Sequence, residues 1–123
     1  MSCNIKWIES DIKVCFNGEI SLVDIYEVNS LIQEDARFET MRYQIYDFSE
    51  VTKTNLIDKD ALFLGDIDLK SSSWNSNIRL AIVTKDARIK ELAKAYKEVM
   101  SKSRWQVTIL EDLAEAELWC VAC

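Results

Sequence analysis

The 123-residue sequence predicts an α/β fold. The expected architecture is a single mixed sheet of about five strands, an N-terminal antiparallel hairpin with the remainder largely parallel, flanked by about four helices. Three observations predict it. Two short alternating segments open the chain back to back, strand-like and helix-like segments then alternate, and one strand, IRLAIVT, is apolar on both faces as a central parallel strand is. No proline, repeat or low-complexity tract interrupts this pattern, so residues 1–123 read as one domain with its own core.

In order, IKWIES and IKVCFN form a hairpin around Glu9-Ser10-Asp11. Ile12, Val14 and Phe16 alternate with Lys13, Cys15 and Asn17, which buries one face, and Gly18 punctuates the end. Ser21 is the N-cap of a helix to about Asp35, with Leu22, Ile25, Val28 or Asn29, and Ile32 at helical spacing. MRYQIYDF is the third strand. Thr54 or Asn55 then caps a helix from about Leu56 toward Lys70, its apolar positions being Leu56, Ile57, Ala61, Leu64 and Ile67. KSSSWNSN is the most loop-like stretch. After IRLAIVT, Thr84 or Asp86 caps the clearest helix, with Ile89, Leu92, Ala93, Tyr96 and Met100 on one face and Lys90, Lys94 and Lys97 on another. RWQVTIL is the fifth strand. Asp112 and Glu115 have capping-box spacing for a last helix bearing Leu113, Ala116 and Trp119.

Composition narrows the chemistry. There is no histidine, which excludes a Ser-His-Asp or Cys-His centre and an imidazole ligand. Two glycines build neither a dinucleotide fingerprint nor a phosphate-cradling loop. The net charge of −6 argues against nucleic acid as a partner. It is unevenly spread: residues 1–70 carry 7 basic and 14 acidic groups, and residues 71–104 carry 8 and 3. That polarity points toward a homodimer formed by self-association in low salt. No apolar run approaches the roughly 18 residues of a membrane span, and MSCNIKWIES lacks the parts of a signal peptide, so a cytoplasmic protein that is not integral to a membrane is expected. Of Cys3, Cys15, Cys120 and Cys123, the last two have redox or zinc spacing, and a zinc site would need Cys3 and Cys15 to converge on them. The simpler reading is small apolar residues in a reducing compartment.

VCFNGEISLVDIYEVNSLI resembles the opening of STAS domains, a strand followed by Gly18, Glu19, Ile20 and the capping Ser21. YQIYDFSEVTKTN is similar to the next STAS segment, here Asp47, Phe48, Ser49, Val51 and Thr52. The closing part, IRLAIVTKD through VTILEDLAEAELW, resembles the SpoIIAA-like (STAS/SEC14-like) group of small bacterial proteins. The resemblance implies a regulatory or protein-interaction module without catalysis or a cofactor. It also implies a switch serine after an aspartate at the start of the helix following the third strand. Those positions fall on Asn55 and Leu56, and leucine has no hydroxyl, so the usual phosphorylation switch is expected to be absent.

The expected interaction surface therefore comprises Asp47, Ser49, Thr52, Thr54, Asn55, Leu56 and Asp60, with Trp74 from the polar loop, and its protein partner is not named by the sequence. Ser49, Thr52 and Thr54 are alternative phosphate acceptors, though hydroxyls here also serve turns and caps. A second reading, from the SEC14-like relationship, is a carrier or sensor of an apolar or amphipathic small molecule, with a cavity lined by Phe48, Leu64 and Tyr96. A third is an enzyme using the strand-end carboxylates Asp47, Asp86, Glu111 and Asp112, or the thiols.

Overall fold

The structure, a computed structural model, describes residues 3–122. Strand β1 (Cys3–Ile8) turns through Glu9 and Ser10 into the antiparallel β2 (Asp11–Ile20), with Glu9 in the left-handed region at φ 57°. Helix α1 (Leu22–Glu34) and a 3₁₀ turn (Ala36–Thr40) lead to β3 (Tyr43–Thr54). Helix α2 (Asp58–Ser71), β4 (Arg79–Val83), α3 (Ala87–Met100), β5 (Gln106–Leu110) and α4 (Leu113–Val121) follow. The strands lie side by side in chain order, and β2 to β5 are parallel.

Successive crossovers of one hand place α1, α2 and α3 on the same face of the sheet. There Ile12, Val14 and Phe16 of β2 and Leu80 and Ile82 of β4 meet Ile25, Ile32, Leu64 and Leu92 of the helices. Helix α4 covers the other face, packing Ala116 and Cys120 on Tyr43, Ile45, Ala81 and Val83. β4 is thus covered on both sides, which is why its sequence is apolar without alternation. At the start of the sheet, the buried Asp11 accepts from the Arg42 and Tyr43 amides at 2.7 and 3.2 Å and pairs with the Arg42 guanidinium.

Helix starts follow local chemistry. Asp24 returns its carboxylate to the Ser21 amide at 2.9 Å, Asp86 accepts from Ile89 N at 2.9 Å, and Asp112 accepts from Ala114 N at 3.0 Å. Thr84 supports the α3 cap from behind by accepting from the Asp86 amide.

Several expected boundaries move. β2 continues through Gly18, whose φ of 68° accommodates the register shifts against β3. β3 runs on to Thr54 because Val51-Thr52-Lys53-Thr54 is itself β-forming, and it pairs with β2 as far as Ile20–Thr54. Neither Thr54 nor Asn55 caps α2, which begins at Asp58. Thr54 Oγ1 instead accepts from Leu56 N and donates to Ile20 O, closing the strand end. Trp105 precedes β5, buried with its indole N–H donating to Asn75 O at 2.7 Å.

Candidate functional site

β4 ends opposite Asp47, so β3 beyond that residue has only β2 beside it and projects as a two-stranded ribbon. Asp47 is buried at its root, accepting from Ser49 N at 2.9 Å. Ser49 and Thr52 are exposed on the ribbon, Asn55 is exposed just past it, and Leu56 is half-buried. Asp60 accepts from Ile57 N at 3.0 Å and so completes the start of α2. Asp58 and Asp60 occupy the first turn of that helix. They fill the electropositive helix end with carboxylates and would repel a phosphate placed there. Trp74 is 69% exposed but lies past the far end of α2. The 14 residues of that helix separate it from Asn55 by about 20 Å, so it does not join the other surface residues.

Beside the ribbon lies an exposed apolar surface that the sequence pattern did not single out. Ile57 is 53% exposed and Phe63 46%, with Leu62, Val23 and Tyr26 also exposed. The Tyr26 and Phe63 rings stack across α1 and α2 with centroids 6.2 Å apart. Asp24, Glu27 and Asp66 are acidic neighbours on the same two helices, Lys59 lies one turn before Phe63, and Asp58 is paired with Arg88 of α3.

Under these helices, Phe48, Leu64 and Tyr96 line one apolar cavity together with Leu56, Ile82 and Leu92. Its volume is about 70 Å³. Its polar wall is Asp68, buried on α2. Tyr96 Oη donates to Asp68 Oδ2 at 2.5 Å, and Gln33 Nε2 and Asn29 Nδ2 donate to Oδ1 at 2.8 and 3.4 Å. The Tyr46 hydroxyl donates in turn to Asn29 Oδ1. One carboxylate thereby ties α1, α2 and α3 together and, through Asn29, to β3. Desolvation pushes Asp68 up to about 6 against the opposing hydrogen bonds from Tyr96 and Gln33. Tyr46 and Tyr96 are raised well above the usual phenol range, first by burial and then by the Asp68 charge. The sequence carried a signal for this cluster: Asp68 follows Ala61 and Leu64 at core spacing, where a charge needs partners.

The strand-end carboxylates are individually committed. Asp86 and Asp112 are caps, Glu111 pairs with Lys90, and Asp47 holds its own turn. Among the described residues no group of three or more histidine, cysteine or acidic side chains could hold a metal ion. Cys3 and Cys15 cannot converge as a zinc site requires. Cys3 stands opposite Phe16 on the face covered by α1, whereas Cys15 points to the other face. Burial pushes the Cys15 thiol up to about 11 and Cys120 up to about 12, so neither supplies appreciable thiolate at neutral pH. Cys123 lies outside the described residues.

No family model matches the chain, and no curated protein matches it. Among solved structures, the anti-sigma factor antagonist SpoIIAA in its unphosphorylated form superposes with a TM-score of 0.58. The match covers 95% of this chain and 94% of that one, at 10% identity. The fold is SpoIIAA-like. An uncharacterised protein of the DUF3478 family from Shewanella loihica PV-4, itself described as having a SpoIIAA-like fold, matches with a TM-score of 0.55. It covers 96% of this chain and 91% of its own at 17% identity. Within this SpoIIAA-like fold, the Leu56 side chain lines the cavity beneath α2. No helix among the described residues is long and apolar enough to cross a membrane.

Proposed function

We propose that the protein is a non-enzymatic, STAS-type interaction module whose binding surface runs from the β3 ribbon across the first half of α2. Its working residues are Ser49, Thr52, Asn55 and Asp60 around the exposed Ile57 and Phe63, with Tyr26 contributed by α1. The observation that carries this reading is the Tyr26–Phe63 stack standing in solvent across α1 and α2, two helices that also expose Val23 and Leu62, with Ile57 exposed at the start of α2. Large exposed apolar groups clustered within a charged rim mark a protein contact, and aromatics are its usual anchors. The rim is acidic on balance, with Asp24, Glu27, Asp60 and Asp66 against Lys53 and Lys59, so the partner is a protein presenting an apolar patch bordered mainly by Lys and Arg. With leucine at position 56, control lies in availability of the partner rather than in phosphorylation of that position.

The carrier reading is weaker on size. Ligand pockets for drug-sized molecules span about 300–1,000 Å³, whereas this cavity holds about 70 Å³. A fatty acid or isoprenoid would enter only if the helices separated and the Asp68 network broke.

Native and denaturing mass spectra of gently purified protein separate the two. The interaction reading expects the apo mass in both, and mass lost on denaturation would favour the carrier. In-cell crosslinking then tests the surface itself. One defined partner should be captured by the wild type and lost in Ile57→Ser/Phe63→Ser, while Trp74→Ser still captures it. Equal capture by both variants would overturn the placement.

A further inference from the structure

The sheet has two edges, and they differ. On β1, Lys6 is exposed in mid-strand, and the Arg37 guanidinium lies 3.6 Å over the ring of Trp7. A central lysine and a covering side chain are devices that keep an edge from pairing. β5, Gln106–Leu110, has none of them: its sequence QVTIL carries no charge, proline or glycine. Its inner hydrogen bonds are made by alternate residues. Gln106 N donates to Ile78 O and Leu110 O accepts from Thr84 N. In a parallel ladder the groups of Val107 and Ile109 therefore point away from β4, toward the free edge.

On the α3 side of this edge the exposed charge is predominantly basic, with Glu98 beside Lys94. Lys90 of α3 pairs with Glu111 at the end of β5, and Arg88 reaches Asp58 on α2, so the Lys90 side of α3 is the β5 side. Lys94 and Lys97 follow Lys90 by one and two turns along that flank. Neither they nor Arg104, just before β5, makes an ion pair among the described residues. A second copy adding its own β5 would bring its lysine flank against this one, which like-charge repulsion opposes.

We propose that β5 is a second binding site, at which an extended acidic peptide segment of another protein adds as a sixth strand. Backbone hydrogen bonds to Val107 and Ile109 supply the pairing, and carboxylates on the α3 side meet Lys94 and Lys97. This edge is remote from the α1–α2 surface and does not depend on it.

The test uses two blocked heptapeptides, one alternating Glu and Val and the other alternating Lys and Val, titrated into the full chain at low salt. Amide exchange and chemical shifts are followed by NMR. The Glu peptide should slow exchange at Val107 and Ile109, and the Lys peptide should not. Lys94→Glu/Lys97→Glu should weaken the Glu peptide about tenfold. Val107→Pro should abolish the protection while retaining the fold, because that N–H is not used by β4. Equal behaviour of the two peptides, no protection at Val107 and Ile109, or protection that rises with protein concentration in the absence of peptide would overturn the proposal. The last outcome would assign the edge to a second copy.

Discussion

Asp68 is one side chain on which several elements depend. Its carboxyl is raised to about 6 by burial, above the usual unfolded value near 3.8. The folded state therefore binds a proton that the unfolded chain has lost between those two pH values, and stability falls as pH rises through that window. The interval corresponds to about 3 kcal/mol, complete above pH 6–7. Urea unfolding of wild type and Asp68→Asn from pH 4 to 7.5 checks this, since the difference between the two curves should carry the slope and be flat above pH 7. Asp68→Ala leaves Tyr96, Gln33 and Asn29 without their acceptor and should cost most near pH 4, with the cost shrinking by the same ~3 kcal/mol as the pH rises to 7.5. The thiols give a second residue-scale prediction. With Cys15 and Cys120 raised to about 11 and 12, iodoacetamide at pH 7.5 should label both far more slowly than in urea-unfolded protein. Peptide mapping would reveal the opposite, rapid labelling of Cys120, if a thiol function existed there.

At the scale of elements, α2 and α3 approach each other at Gly65. A methyl group there would stand 2.8 Å from Val99 Cβ. The gain of about 1 kcal/mol in helix propensity is outweighed by overpacking of about 1–3 kcal/mol. Gly65→Ala should therefore destabilise in thermal melts, and adding Val99→Ala should recover only part of the loss, because the Val99 Cβ that makes the closest contact remains. Asp86→Ala removes the α3 cap and should cost about 1 kcal/mol. Elements with periodic cores were legible in the sequence. Ile89, Leu92, Ala93, Tyr96 and Met100 define α3 by spacing alone, and each is buried. The β3–α2 junction was less legible because its polar residues suit a cap, a turn or a strand equally. Only pairing with β2 decides that Val51 to Thr54 remain extended. The exposed surface was hidden for a similar reason. Phe63 and Leu62 look like core residues in a string, and their exposure follows from which face of α2 meets the sheet. Asp68 broke the apolar stripe visibly, but its partners come from positions 29, 33 and 96, and no local pattern joins them.

Across the whole molecule, the separated charge is divided between two surfaces. Acidic residues outnumber basic ones around the proposed contact on α1 and α2, and Lys94 and Lys97 follow the β5 edge. If both sites operate, the partners differ in sign, and salt should weaken both without exchanging one for the other. Partner capture at about 0.05 and 0.5 M salt, repeated with Phe63→Ser and with Lys94→Glu/Lys97→Glu, should show each variant losing a different protein.

The strand order has a further consequence. Because each strand lies beside the one before it in the chain, no strand waits for a later segment to be inserted between it and its neighbour. On a ribosome, β2 can dock on β1, β3 on β2, and so on, while the next helix is still being made. Besides the β1 edge, every intermediate would expose the edge of its newest strand. The last of these edges among the described residues is β5, so the binding site proposed there is also the edge that is laid down last.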